Sequence, residues 1–120
     1  MAHSLYERLG GTEGINKIAS DALDNHLANP RIKSRYVHLD NLEEVRKGAA
    51  NFFISATGGP DVYKGKNMLE THQGMNIDEA EFMAVVDDIL DSLNSSGIAQ
   101  REQEEVLFAL YSMRREIICV

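Results

Sequence analysis

Residues 58–68 read Gly-Gly-Pro-Asp-Val-Tyr-Lys-Gly-Lys-Asn-Met, and the segment that follows carries His72, Met75, Ile77 and Phe82. A single histidine therefore lies just past a glycine-rich loop, on a short segment that leads into an apolar helix. An imidazole in such a place can be the axial ligand of a haem iron, with the porphyrin packed among thioethers and aromatic rings. Without that interpretation, the sequence indicates only a small helical domain.

Length and composition limit the alternatives. The chain has 120 residues, so we expect residues 1–120 to form a single domain with one core. A net charge of −7, from 19 acidic and 12 basic residues, disfavours binding to nucleic acid and to anionic membranes. No apolar run approaches the roughly 20 residues that span a bilayer, and the first residues lack the pattern of a signal peptide. We therefore expect a cytoplasmic protein that binds neither nucleic acid nor membrane.

Cysteine usage restricts how a haem is held. The only cysteine is Cys119, so the Cys-x-x-Cys-His sequence that attaches c-type haem is absent. We expect any haem to be non-covalent, that is, haem b.

Apolar residues at helical spacing predict an all-α protein with four long helices. Ser4 and Glu7 fit a capping box that opens a short first helix, and Asn41 is expected to cap a later one. No stretch shows the alternation of a strand. The four apolar stripes are Ile15, Ile18, Ala19, Ala22, Leu23, His26 and Leu27; Val45, Ala49, Phe52, Phe53 and Ala56; Phe82, Val85, Val86, Ile89, Leu90 and Leu93; and Val106, Leu107, Leu110, Tyr111 and Ile117.

The segment from Pro60 to Gln73 lacks a sustained period, apart from about one helical turn at residues 69–72. A loop of that length in so small a domain is usually functional or folded around something. It therefore argues against a plain four-helix bundle.

The sequence resembles the truncated haemoglobins, and within them the first group. The resemblance runs through almost the whole chain and rests on three blocks: Leu5-Tyr6-x-x-Leu9-Gly10-Gly11; Phe52-Phe53-x-x-x-x-Gly58-Gly59-Pro60-x-x-Tyr63-x-Gly65-Lys66-x-Met68; and His72-x-x-Met75-x-Ile77-x-x-x-x-Phe82. It implies a truncated globin, a two-over-two helical sandwich in which helices near 12–28 and 41–57 form one pair and helices near 78–94 and 100–117 the other.

The resemblance also implies a b-type haem with His72 as the proximal iron ligand. The second imidazole nitrogen of His72 needs an acceptor to orient it, and we expect a backbone group near Met68 to be that acceptor. Lys66 is placed to reach a haem propionate or to remain a solvated lysine, and Tyr63 to bond a propionate or to pack the loop. The expected haem contacts are Tyr36, Val45, Ala49, Phe52, Phe53, Tyr63, Lys66, Met68, Met75, Phe82 and Val85.

The chain departs from this family on the side where the gas binds. The Phe-Tyr pair that the family commonly carries on the second helix is Ala22-Leu23 here, and the two usual polar positions on the next long helix are Val45 and Ala49. We therefore expect a largely apolar ligand pocket formed by Leu23, Tyr36, Val45 and Ala49. Such a pocket favours carbon monoxide and nitric oxide over the more polar dioxygen.

Three residues leave alternatives open. Tyr36 stands where the first group usually has phenylalanine, so its hydroxyl can donate to the bound ligand or face solvent. His26 and His38 can each be a hydrogen-bonded or exposed histidine, or a second iron ligand in a six-coordinate resting state.

The function expected from these residues is reversible binding of a diatomic gas (O2, NO or CO) rather than an enzymatic reaction. One alternative is a nitric oxide dioxygenase or peroxidase-like enzyme, which requires a separate reductase. Another is a six-coordinate haem redox or gas sensor. We expect a monomer or a weak dimer.

Overall fold

The computed structural model describes residues 3–120, and these residues fold into six α-helices and two short 3-10 turns. The 3-10 turns span Lys33–Arg35 and Arg114–Glu116. The α-helices are α1 (Leu5–Arg8), α2 (Gly11–Ala28), α3 (Leu42–Ala56), α4 (Met68–His72), α5 (Glu79–Ser95) and α6 (Gln100–Ser112).

The four long helices form two layers. Helix α2 packs against α3 and also against α5, and α5 packs against α6. The apolar stripes of α2 and α5 meet in one core, as the periodicity predicts. The buried members of this core include Ile15, Ile18, Val86, Ile89, Leu93 and Val106. The predicted stripe of α3 is partly wrong, because α3 buries Ala50 and Ile54, which that stripe omits, while Ala56 is exposed. Tyr111 of the predicted α6 stripe is also exposed. Among residues 3–120, no helix is both long and apolar enough to cross a membrane.

Two capping boxes fix the segment that carries His72. At α4, the Asn67 side chain accepts from the backbone N–H of Glu70 at 2.8 Å. At α5, Asp78 accepts from the N–H of Glu81 at 2.7 Å, and the Glu81 carboxylate accepts in return from the N–H of Asp78 at 3.2 Å. These reciprocal bonds satisfy N–H groups that a helix start leaves free, so even the five-residue α4 has a defined beginning.

Two expected caps differ from the structure. Ser4 accepts from the N–H of Glu7 at 3.2 Å, but the Glu7 carboxylate bonds to the Ser4 hydroxyl and to His3 instead of the Ser4 backbone, so the capping box is incomplete. The prediction that the Asn41 side chain caps α3 is wrong, because that side chain makes no capping hydrogen bond.

The last helix is shorter than the predicted span of 100–117. It ends at Ser112, and the chain turns back toward the segment between α4 and α5. There the N–H of Cys119 donates to the carbonyl of Ile77 at 2.8 Å, and the N–H of Gly74 donates to the carbonyl of Val120 at 3.0 Å. These tertiary hydrogen bonds hold the C-terminal residues against the His72 segment, and a continued helix could not make them.

Candidate functional site

A cavity of about 720 Å³ lies between the α2–α3 layer and the segment formed by α4, α5 and the end of α6. Its volume falls within the range of roughly 300–1,000 Å³ typical of small-molecule sites. Apolar side chains dominate its wall. We call it the main cavity; its lining includes Ile32, Leu39, Val45, Ala49, Phe52, Phe53, Met68, Ile77, Phe82, Val85, Ile89 and Leu110.

His72 is the last residue of α4 and lines the main cavity. Its Nδ1 lies 2.8 Å from the backbone carbonyl oxygen of Met68. Because a carbonyl oxygen only accepts, this contact places the proton on Nδ1 and leaves the lone pair on Nε2. The expectation of a backbone acceptor near Met68 is therefore confirmed, and it fixes the imidazole in the tautomer that a metal requires.

Most residues expected at the haem line the main cavity together. These are Tyr36, Val45, Ala49, Phe52, Phe53, Tyr63, Met68, His72, Met75, Phe82 and Val85. Phe52 lies edge-to-face against both Phe53 and Tyr63, with ring centroids 5.9 Å and 5.4 Å apart, so three aromatic rings form one continuous wall.

Two expected residues lie elsewhere. Leu23 is buried and does not line the main cavity, but it lines a neighbouring cavity of about 80 Å³. This small cavity brings together all four residues expected at the ligand pocket, Leu23, Tyr36, Val45 and Ala49. The side chain of Lys66 is exposed, and its backbone carbonyl accepts from the Tyr63 hydroxyl at 2.5 Å. That bond ties Tyr63 to its own loop.

The sequence did not predict a buried polar cluster beside the main cavity. Nδ1 of His26, on α2, lies 2.8 Å from Oδ2 of Asp88, on α5, and both side chains are more than 90% buried. The Asn29 amide donates to both carboxylate oxygens of Asp88 at 3.2 Å, and the Asn25 amide donates to the Asp88 carbonyl at 3.0 Å. The one signal in the sequence was an aspartate on the apolar stripe of α5, between Val86 and Ile89.

His26 and Tyr36 face the main cavity as a stacked pair. Their ring centroids are 5.2 Å apart with an interplanar angle of 19°. Burial lowers the pKa of His26, although the Asp88 carboxylate opposes the shift by favouring the charged ring. Burial also raises the pKa of Tyr36, with a further contribution from Asp88. Both groups are therefore neutral at neutral pH.

Arg35 holds the Tyr36 segment to the opposite wall. Its Nε and Nη2 donate to the two carboxylate oxygens of Glu81 at 2.7 and 2.9 Å, and its Nη1 donates to the carbonyl of Met75 at 2.9 Å. The Arg35 guanidinium, by donating these bonds, lowers the pKa of Glu81. Since all three residues line the main cavity, the ion pair crosses from the α2–α3 connection to α5 at the cavity wall.

Comparison with known proteins agrees with this arrangement. Residues 4–118 match the family model described as bacterial-like globin. The chain belongs to the bacterial-like globin family. This globin is 29% identical over 115 residues to a group 1 truncated hemoglobin of Tetrahymena thermophila. The match covers 96% of this chain and 94% of the relative.

Solved structures give the same fold for this globin. The truncated hemoglobin of Tetrahymena pyriformis in its Fe(III) form superposes with a TM-score of 0.93 at 26% identity, covering 98% of this chain and all of the other. The 2/2 hemoglobin of Synechococcus sp. PCC 7002, in the cyanomet state and with covalently attached heme, gives 0.89 at 22% identity, covering 97% and 98%. The all-α, two-over-two helical fold is therefore confirmed.

The residues present fit a haem. A porphyrin supplies four nitrogen ligands of its own, so the protein needs to provide one axial donor and a flat apolar space. Nε2 of His72 is such a donor, and the aromatic wall with the apolar lining provides such a space. Membership of the globin family implies haem-based gas binding.

Proposed function

We propose that this globin holds haem b non-covalently and binds a diatomic gas reversibly, with His72 as the proximal iron ligand and a largely apolar ligand side. One observation carries the proposal: the His72 imidazole, oriented by the Met68 carbonyl, lies at the edge of an apolar cavity of about 720 Å³.

The haem, when bound, supplies a ferrous iron with one position open to a gas. The chain's own residues determine the surroundings of that position. His72 keeps its Nε2 lone pair available because Nδ1 donates to Met68. The apolar lining, including Phe52, Phe53 and Phe82, would limit the access of water to a bound haem.

The ligand side combines apolar walls with one available donor. Val45 and Ala49 stand at positions that are usually polar in the truncated haemoglobins that this sequence resembles, and neither can hydrogen-bond through its side chain. The hydroxyl of Tyr36 bonds to none of the described residues, and Tyr36 lines both the main cavity and the small cavity. We therefore assign Tyr36 as the donor to the gas ligand, a bond of roughly 1.5–3 kcal/mol where the acceptor carries partial charge. Dioxygen gains this stabilisation, whereas the less polar carbon monoxide gains little.

Absorption spectroscopy of the purified protein, supplied with hemin, tests the proximal assignment. We expect a Soret band in the wild type, and a carbonyl spectrum of the ferrous form typical of a histidine ligand. His72→Ala should lose the histidine-type spectrum and regain it when free imidazole is added. His38→Ala is the matched control, because His38 lines the same cavity but bonds its own chain, through Ser34, on an exposed segment.

The proposal fails if wild-type protein gives no Soret band with hemin, or if the histidine-type carbonyl spectrum survives in His72→Ala. It also fails in its ligand assignment if Tyr36→Phe leaves dioxygen dissociation unchanged, since the polar ligand would then be stabilised by another group.

A further inference from the structure

His26 is a side chain of the main cavity wall that is able to take up a proton. His26 is 7% exposed and lines both cavities, and its Nδ1 is engaged by Asp88 at 2.8 Å. Because a carboxylate only accepts, the proton of the neutral ring is on Nδ1, and Nε2 carries a lone pair. Nε2 bonds to none of the residues the structure describes. Among the described residues, Oγ of Ser96 is the only fully buried side-chain nitrogen or oxygen without a hydrogen-bond partner. Since Nε2 of His26 also lacks a partner, Nε2 is not fully buried and has open space beside it.

This arrangement does not suit a hydrogen-bond donor to dioxygen, because the neutral ring presents no N–H to the cavity. It suits a base. A proton arriving at Nε2 gives an imidazolium whose charge is balanced by the Asp88 carboxylate, which Asn29 in turn holds with two bonds of 3.2 Å. A buried histidine paired with a buried carboxylate is the usual geometry of a general base.

We propose that His26 acts as the base in this site: protic ligands such as hydrogen sulfide and hydrogen cyanide that enter the main cavity give up their proton to His26 of this chain. In this step the H–X bond breaks, its electron pair stays on X⁻, and an N–H bond forms at Nε2 of His26. The electron pair on X⁻ would then be available for coordination by a ferric haem held by His72. The proposal rests on the proposed haem at His72.

The surroundings of His26 support proton uptake rather than permanent charge. The titratable groups packed against it are Asp88 from α5 and Tyr36 from the α2–α3 connection. Farther along the cavity wall, Arg35 and Glu81 neutralise each other, and His38 lies on an exposed segment. Burial lowers the pKa of His26, which keeps the base free at neutral pH.

The test measures the association of cyanide with the ferric holoprotein by stopped-flow absorption, from mildly acidic to alkaline pH. Nitric oxide binding to the same ferric protein is the reference, because nitric oxide binds without losing a proton. His26→Gln keeps the side chain's volume and a donor to Asp88 but removes the base. We expect it to slow cyanide association at neutral pH by at least about a hundredfold, the lower limit of typical general-base effects. The difference should close as the pH rises until cyanide is itself ionised.

A second variant guards against misfolding of the first. Asp88→Asn removes the charge that stabilises the imidazolium and should slow cyanide association in the same direction, while nitric oxide binding stays unchanged. His3→Gln, at an exposed histidine that lines neither cavity, should leave both rates unchanged. Nitrogen-15 NMR of the wild-type carbonyl form should show the His26 proton on Nδ1.

Each contrary result has a distinct meaning. Unchanged cyanide association in His26→Gln overturns the base. Equal slowing of cyanide and nitric oxide association in His26→Gln also overturns the base, because it indicates that the substitution has changed the shape of the cavity. A low-spin ferric spectrum that disappears in His26→Gln would make His26 an iron ligand instead. Failure of the proposed haem function is seen separately, as a wild type without a Soret band.

Discussion

The ion pair between Arg35 and Glu81 offers a quantitative test of how the cavity wall is held. Arg35→Met keeps the aliphatic stem but removes the two bonds to Glu81 at 2.7 and 2.9 Å and the bond to the Met75 carbonyl at 2.9 Å. The two side chains are 30% and 19% exposed, so the pair lies between a surface ion pair and a buried one. We expect a coupling free energy of about 1–2 kcal/mol, above the usual surface range because both bonds are charge-assisted and the geometry is bidentate.

The double-mutant cycle of Arg35→Met with Glu81→Gln isolates this coupling. The measurement is urea unfolding of the holoprotein, followed by far-ultraviolet circular dichroism, with the same excess of hemin for all four proteins because bound haem stabilises the folded state by mass action. The matched control is the Arg46–Asp24 pair, whose oxygen–nitrogen distance is 3.2 Å and whose aspartate is 62% exposed. That cycle should give a coupling of about 0–1 kcal/mol.

The coupling should also depend on pH in one direction. Arg35 lowers the pKa of Glu81 below its ordinary value of 4.5. A lowered carboxyl pKa contributes stability that is fully present above the unfolded value and is lost as the pH falls through the folded value. The coupling should therefore be complete above about pH 5 and decline below about pH 4.5. A coupling no larger than that of Arg46–Asp24, or one that persists in strong acid, would refute the reasoning.

Three further predictions concern the ligand side, acid stability and the core. Tyr36→Phe should speed dioxygen dissociation by about tenfold to a hundredfold and leave carbon monoxide dissociation nearly unchanged, as measured by ligand replacement; equal effects on both gases would contradict the donor role. Burial lowers the pKa of His26 below 6.5, so as the pH falls the unfolded chain binds a proton at this histidine before the folded chain does. The free energy of unfolding should therefore decrease below about pH 6.5, by at most about 1.4 kcal/mol per pH unit. His26→Gln should remove this component in unfolding experiments between about pH 5 and 7, and an identical pH dependence would count against a buried neutral ring. Leu93→Ala, at a side chain 1% exposed, should cost about 2–5 kcal/mol of unfolding free energy, whereas Met83→Ala on the exposed face of the same helix should stay within about 0.5 kcal/mol.

The proximal half of the site could be predicted because its signals are local. His72 bonds to Met68 four residues earlier, which one helical turn imposes, and the boxes that begin α4 and α5 each span three residues. The apolar periodicity likewise determined which faces of α2 and α5 turn inward, whereas α3 buries Ala50 and Ile54, which its predicted stripe omits. Helix ends were less predictable. Asn41 has the right side chain for a cap, but its backbone geometry gives that side chain no N–H to accept from.

The ligand side could be predicted only in part. Val45 and Ala49 line both cavities, whereas Leu23, one turn before His26, lines only the small one. Helical spacing places both residues on the inner face of α2. It does not determine which of two adjoining spaces each side chain reaches, since that depends on where α3 and α5 cross α2.

By itself, the sequence determined the helices, the inward faces of α2 and α5 and the orientation of the His72 imidazole, because each depends on residues within about one helical turn of one another. Only the tertiary structure decided that His26 meets Asp88, 62 residues away, and that Arg35 meets Glu81, 46 residues away. Such pairs form where the packing of α2 and its following loop against α5 brings polar groups together out of water, where a lone charge would be costly. The acid–base character of the cavity is therefore a property of helix packing and not of any single segment of the chain.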